Sequence, residues 1–230
     1  MAEKKVDFTP SVLGSKKYWD DFYELEHKNF VENPEDTGEC WFDESNAEDK
    51  MCEFIFTELK NLKTSNVCDL GTGNGHLLFQ LYEEGLRGNL IGVDYSEASV
   101  KFATDIAQEK AFYISFQKSD ILFPKDEFLL KHRNFFDLVL DKGTLDAIAL
   151  SDQRNEDGLT GYQIYPGHAS SLLRKGALLL ITSCNFTEEE LCSHMESSGD
   201  LKVWKRVRYP KYEFGGKSGS TICTVAFEKV

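Results

Sequence analysis

Three glycines at alternate positions, Gly71, Gly73 and Gly75, follow directly on the apolar run Val67–Leu70. With no Cβ on that side of the loop, a ligand can approach backbone N–H groups that side chains would otherwise shield. From His76 to Tyr82 the apolar residues recur at helical spacing, so the loop opens a helix whose N-terminus faces that ligand. The next apolar run, Asn89–Val93, ends in Asp94, 23 residues after Gly71. A carboxylate at that place accepts hydrogen bonds from both hydroxyls of a ribose. This combination points to a nucleotide-like ligand, the bland alternative being a tight strand-to-helix turn with no ligand.

Other residues join this set by position. Asp120 follows the alternating segment Tyr113–Lys118 and offers an acceptor for the exocyclic amine of adenine, unless it only caps its own loop. With Thr72 in the loop, and Tyr95 and Ile121 beside the two strand-end acids, these form the expected cofactor-binding stretch. Asp141 leaves the apolar run Phe135–Leu140 at what should be the carboxyl edge of a parallel sheet, beside the glycine loop. Trp41 comes just after the turn Asn33–Gly38 and is placed to close over the ligand. The dinucleotide fingerprint is G-x-G-x-x-G, but here the third glycine comes one residue early, which disfavours a pyrophosphate. The form D-L-G-T-G-N-G, with Asp69 ahead of the loop, resembles the first motif of class I methyltransferases. In that family the loop passes the methionine part of S-adenosylmethionine and the acid after the second strand holds the ribose.

The elements that must carry these residues read as alternating strands and helices. Residues 1–17 are expected to be unstructured, and Tyr18–Leu25 to form an aromatic helix with Tyr18, Phe22 and Leu25 inward. A helix at Glu48–Leu62 precedes the first strand, and another, capped by Ser96, runs to about Lys110. Gln153–Leu159 reads as a polar surface insertion. Leu172–Ala177 reads as a helix end with glycine after cations, followed by a strand at Leu178–Asn185 and a helix at Thr187–Met195. The tail reads as strands Lys202–Tyr209 and Thr221–Val230 joined by a turn at Gly215–Ser220, since the spacing of Gly-Gly-Lys-Ser fails the phosphate-loop pattern.

At 230 residues, 41% of them hydrophobic, the chain suffices for one α/β domain plus a short arm. It has no apolar run long enough for a membrane span and no signal-peptide pattern near Met1, so a soluble cytoplasmic protein is expected. Six scattered cysteines without a C-x-x-C pair read as reduced thiols, and Cys184, Cys192 and His194 are a poor zinc set. The balance of 26 basic to 39 acidic residues, a net charge of −13, disfavours nucleic acid and favours a basic protein partner.

Several segments together resemble the eukaryotic translation elongation factor 1-alpha lysine methyltransferases of the methyltransferase-like 10 type. They include Tyr18-Trp19-Asp20, Trp41-Phe42, Asp69–Gly75, Asp141–Ile148, Ile181–Thr187 and Phe214–Gly219. The resemblance implies a class I methyltransferase (Rossmann-like) α/β fold: a seven-stranded, mostly parallel sheet with a C-terminal antiparallel hairpin and helices on both faces. Residues 1–47 would be an arm and aromatic helix packed on the core, and 48–230 the S-adenosylmethionine-dependent methyltransferase domain. It also implies S-adenosylmethionine as cofactor, no metal, and methylation of a lysine of elongation factor 1-alpha, the alternative being another protein or a small molecule as substrate; a monomer is expected. Asp141 would lie beside the incoming lysine. A nearby carboxylate favours the ammonium form, so Asp141 would orient and bind the amine and not deprotonate it. An aromatic, desolvated channel can lower the lysine's pKa, and Trp41, Tyr18 and Phe214 are candidates for its walls, the alternative for each being simple packing.

Overall fold

In a computed structural model the chain is described over residues 9–59, 64–210, 212–214, 217–219 and 221–230, with backbone alone for 212–214 and 217–219. Seven strands make one sheet in the spatial order β3-β2-β1-β4-β5-β9-β6. Strands β1 (Asn66–Leu70), β2 (Asn89–Asp94), β3 (Ser115–Lys118), β4 (Phe136–Lys142) and β5 (Leu173–Ser183) pair in parallel. Strand β9 (Cys223–Lys229) runs antiparallel between β5 and β6 (Leu201–Val207). The expected parallel sheet with an antiparallel C-terminal closure is therefore what the chain forms.

Both faces of the sheet are covered, which explains why the central strands read as unbroken apolar runs. On one face Met51 and Ile55 of α2 (Ala47–Glu58) and Leu77, Leu78 and Leu81 of α3 (His76–Glu83) pack on Val67, Leu138 and Leu140. On the other, α5 (Glu127–Lys131), α6 (Thr144–Ala149), α7 (Gly161–Leu172) and α8 (Glu188–Glu196) cover Leu70, Val139 and Ile181. A third cluster joins α1 (Lys16–Glu32) to α4 (Glu97–Glu109) through Tyr23, Phe30, Phe102 and Ile106. The N-terminal region is thereby bound to the sheet's helical layer.

Several expectations are corrected. Val12–Gly14 forms a 3-10 turn and α1 already starts at Lys16, capped by Ser15, so residues 12–17 are ordered. The buried face of α1 is Tyr23 and Phe30, while Leu25 is exposed; the crowded aromatics offered more than one apolar stripe and contact with α4 selects this one. Strand β3 starts at Ser115 and leaves Tyr113 exposed. Leu173–Gly176 do not end a helix: α7 stops at Leu172 and β5 begins at once, with a register shift against β4 and Gly176 in the left-handed region at φ 77°. The helix expected to reach Leu62 ends at Glu58, and residues 60–63 lie outside the described ones. Tyr212–Phe214 (β7) and Lys217–Gly219 (β8) form a separate antiparallel ribbon, so the expected turn is partly strand; Gly215, Gly216, Ser220 and the Phe214 side chain lie outside the described residues. Among the described residues no helix is long and apolar enough to cross a membrane.

Candidate active site

The strand order turns outward on both sides of the β1/β4 pair, and a cavity lies at the carboxyl ends of these strands, where open α/β sheets place their ligands. Its floor is the glycine loop. Gly71 and Gly73 have φ of 61° and 57°, which glycine adopts without steric cost. An alanine Cβ at Gly71 would also overlap the Thr144 hydroxyl, and one at Gly73 the Tyr23 hydroxyl. Thus the glycines make room for the protein's own clasp as well as for a ligand. Thr144 Oγ1 donates to the Leu70 carbonyl at 2.7 Å, fixing α6 against the end of β1.

Asp94 is held at the cavity wall by Gly73 N–H (3.1 Å) and Ser96 N–H (2.8 Å), and Ser99 Oγ donates to the Gly73 carbonyl at 2.7 Å. Burial pushes the Asp94 carboxyl up to about 6, against the pull of those backbone donors. Burial likewise lifts Asp69, which accepts from Thr72 Oγ1 at 2.7 Å, to about 7. Trp41, Asp69, Gly71, Thr72, Gly73 and Asp94 all line this one cavity, as expected.

Four of the cofactor candidates do not line it. Gly75 caps the start of α3 and is turned towards Phe79 and Phe116. Tyr95 lies under the Lys16 ammonium, 5.5 Å from the ring centre. Asp120 is exposed and accepts from Leu122 N–H at 3.0 Å, so it caps its own loop, the alternative weighed for it above. Ile121 is buried and gives its carbonyl to His168 Nδ1 at 2.7 Å.

Asp141 requires the larger correction. It sits on the same face of β4 as Val139, is fully buried, and does not line the cavity. Its carboxylate accepts from the Tyr165 hydroxyl and from the N–H groups of Thr144 (2.8 Å) and Leu145 (3.1 Å), capping α6. The acid that α6 brings to the cavity is Asp146, in the helix's first turn, whose carboxylate accepts from Ser183 Oγ and from Cys184 N–H at 2.8 Å. Asn185 lines the cavity beside it. Asp146 and Asn185 both stood within the segments carrying the family resemblance, but spacing alone did not separate Asp146 from Asp141.

The opposite face of β4 delivers Lys142. Its ammonium lies 3.1 Å from Glu48 of α2 and donates to the Trp41 carbonyl at 2.8 Å. Burial opposes ionisation of Glu48, but His76 and Lys142 more than offset it and hold its carboxyl down at about 2. Cys40, Glu48 and His76 approach one another closely enough to suggest a metal cluster. The Glu48 carboxylate, however, is already paired with the Lys142 ammonium at 3.1 Å, and His76 Nε2 lies 3.2 Å from Thr37 Oγ1, so two of the three groups are engaged within the protein. Among the cysteine and histidine set weighed above, His194 is stacked flat on Tyr162 with ring centres 3.6 Å apart.

Glu48, Asp69, Asp94 and Asp146 against one ammonium, with Trp19, Tyr23, Trp41 and Phe42 as walls, suit a cationic ligand and repel a pyrophosphate. A sulfonium with an attached ribose fits this donor set. S-adenosylmethionine supplies, when bound, an electrophilic methyl group on that sulfonium. Asp94, the aromatic walls, Asp146 and Asn185 are the groups this cavity presents to such a ligand.

Fold and site together define a class I, S-adenosylmethionine-dependent methyltransferase. A methyltransferase-domain family model matches residues 61–216. The solved magnesium protoporphyrin IX methyltransferase of Synechocystis, with S-adenosylhomocysteine bound, shares the fold: TM-score 0.59 at 14% identity, covering 94% of this chain and all of that one. A S-adenosylmethionine-dependent methyltransferase from Aquifex aeolicus superposes with TM-score 0.56 at 18% identity, covering 81% and 93%. Closer in sequence are the protein-lysine N-methyltransferase EFM4 of Saccharomyces cerevisiae, 48% identical over 97% of both chains, and EEF1A lysine methyltransferase 2 of Homo sapiens, 33% identical over 97% of this chain and 89% of that one. The chain belongs to this protein-lysine N-methyltransferase family and uses S-adenosylmethionine.

Proposed function

We propose that the protein transfers methyl groups from S-adenosylmethionine to a lysine of translation elongation factor 1-alpha, acting as a cytoplasmic monomer without nucleic acid. The observation that carries this reading is near-full-length similarity to vertebrate proteins named EEF1A lysine methyltransferase 2, alongside the yeast protein-lysine N-methyltransferase EFM4. Local charge supports a basic protein partner: from Glu32 to Asp49 the chain carries eight acids and no basic residue, and Trp41 and Phe42 at the cavity lie within that stretch. In this reading residues 1–47 are an arm that walls the site, and 48–230 the methyltransferase domain.

The lysine enters as ammonium, is oriented by Asp146 and Asn185, and gives its proton to the water it leaves behind as it is desolvated between aromatic walls; the neutral amine then forms the N–CH3 bond as the S–CH3 bond breaks, leaving S-adenosylhomocysteine. Moving a lysine from about 10.4 towards 7 requires roughly 4 to 5 kcal/mol, which burial away from water can supply. Asp146 itself favours the charged form, so its role is capture and aim. Incubation with methyl-tritiated S-adenosylmethionine and unmodified elongation factor 1-alpha should label the factor on a lysine located by peptide mass spectrometry. Label in another lysate protein with none in the factor would overturn the substrate, and label in RNA would overturn protein methylation.

A further inference from the structure

The segment Thr37–Phe42 supplies Trp41 and Phe42 to the cavity wall. Glu26 accepts from the Glu39 N–H at 2.9 Å and His76 Nε2 lies 3.2 Å from Thr37 Oγ1, and two further side chains, Asn74 and Lys142, tie the segment to the glycine loop and to β4. Asn74, inside the glycine loop, donates both hydrogens of its carboxamide to this segment, to the carbonyls of Thr37 and Glu39, each at 3.0 Å. An amide nitrogen is the one part of Asn or Gln with two donors; an aspartate here would set a carboxylate against two carbonyls. Lys142 donates to the Trp41 carbonyl at 2.8 Å and is braced by Glu48. Gly38, at φ 82°, lets the backbone pack between Glu26 and Asn74, since a Cβ there would lie 2.6 Å from the Glu26 carboxylate and 3.2 Å from the Asn74 carboxamide nitrogen. At the far end Phe42 stands in the left-handed region, at φ 68°, with its ring against Gly143. A bulky residue is kept in that conformation only where its surroundings determine it.

We infer that Asn74 and Lys142 are positioning residues that latch Thr37–Phe42 across the cofactor, so that filling the glycine loop and closing this segment are one coupled event. The physical link is short. Asp94, which the ribose engages, bonds the N–H of Gly73, and the next residue in the chain is Asn74, whose carboxamide carries the segment. A ligand that fixes the loop therefore fixes the amide beneath the segment. Trp41, packed on Trp19 at 5.3 Å between ring centres, is carried with it.

The test uses S-adenosylhomocysteine with the full chain, and it rests on cofactor binding alone, so a wrong protein substrate would leave its outcome unaffected. In the unmodified protein the ligand should slow hydrogen exchange of amides 37–42 about tenfold or more, and both Asn74→Ala and Lys142→Met should abolish this and speed ligand release about tenfold. Lys142→Arg keeps a donor for the Trp41 carbonyl and should retain slow release. Lys142→Met also leaves the buried Glu48 carboxylate without its ammonium, so its ligand-free melting temperature should fall while that of Lys142→Arg is retained; the latch is read from the ligand-dependent change in exchange and not from the melting temperature. Ligand-independent exchange at 37–42, or unchanged release in both Asn74→Ala and Lys142→Met, would overturn the inference. Should Asn74→Ala lose the fold, the contrast between Lys142→Met and Lys142→Arg still decides it.

Discussion

The Tyr165 hydroxyl donates a hydrogen bond to the Asp141 carboxylate, and neither side chain touches solvent. The bond ties α7 to the end of β4, while the same carboxylate caps α6. Burial pushes the Asp141 carboxyl upward, and Tyr165 with the two backbone N–H groups works in the opposite direction, favouring the ionised form.

Asp141 should therefore behave as a structural residue. Asp141→Ala leaves a buried hydroxyl and two backbone donors without an acceptor and should cost about 3 kcal/mol or more in urea unfolding; Tyr165→Phe should cost about 1–3 kcal/mol. Cofactor affinity should fall together with stability in the alanine variant. A stable Asp141→Ala protein with normal cofactor affinity and a selective loss of turnover would restore the role first expected of it.

Asp146 should show the opposite split. Asp146→Asn should leave S-adenosylmethionine affinity within about threefold and lower kcat/KM on the protein substrate roughly 100-fold, or about 2.7 kcal/mol of transition-state stabilisation. Calorimetric titration beside methyl-transfer kinetics on the same preparation measures both quantities. Equal losses in the two would show that Asp146 serves the cofactor.

Cofactor binding should depend on pH through Asp94 and Asp69. Ribose hydroxyls donate to a carboxylate, so affinity should be full above about 7 and fall as the pH drops through about 6, where burial has placed these carboxyls. The sign for the ligand-free fold is reversed. Both groups have folded values above the ordinary 3.8, so their contribution to stability is present below that value and lost as pH rises through about 6 to 7. Titrations of S-adenosylhomocysteine between pH 5.5 and 8 should show the fall, and Asp94→Asn, weaker throughout, should flatten its lower part. A profile identical in the variant would remove Asp94 from the account.

Salt should slow the reaction at low substrate concentration. With a net charge of −13 and a basic partner, raising salt from about 0.05 to 0.3 M screens the steering of encounter and should lower kcat/KM while leaving kcat nearly constant. Rates that hold steady or rise would mean that encounter is not charge-driven.

What the chain revealed before folding depended on how local the cause was. Strands β1, β2 and β4 were legible because burial on both faces writes an apolar run, and the glycine loop because its conformation is a property of the residues themselves. Leu173–Gly176 misled because cations followed by glycine copy a helix end, whereas Leu173 already pairs with Phe136 of β4 and the residues after it bulge before pairing resumes at Leu178. Asp141 and Asp146 were indistinguishable in one short motif, since the choice between them is made by Tyr165, brought from α7, and by Ser183 at the end of β5. The Glu48–Lys142 pair had no local signal either, because its partners are far apart in sequence and meet only across the packed sheet.

The place of β9 has a consequence for how the molecule comes into being. Residues 223–229 are the last strand in chain order, yet they lie inside the sheet, bonded to β5 on one side and β6 on the other. A nascent chain that has exposed everything through β6 still offers two open strand edges, lined by Leu179, Ile181 and Val203, with nothing to join them. The sheet can therefore close only after residues 223–229 have been made. Until then the β5 and β6 edges are open to non-native pairing, and a variant lacking these residues should leave the two strands unjoined.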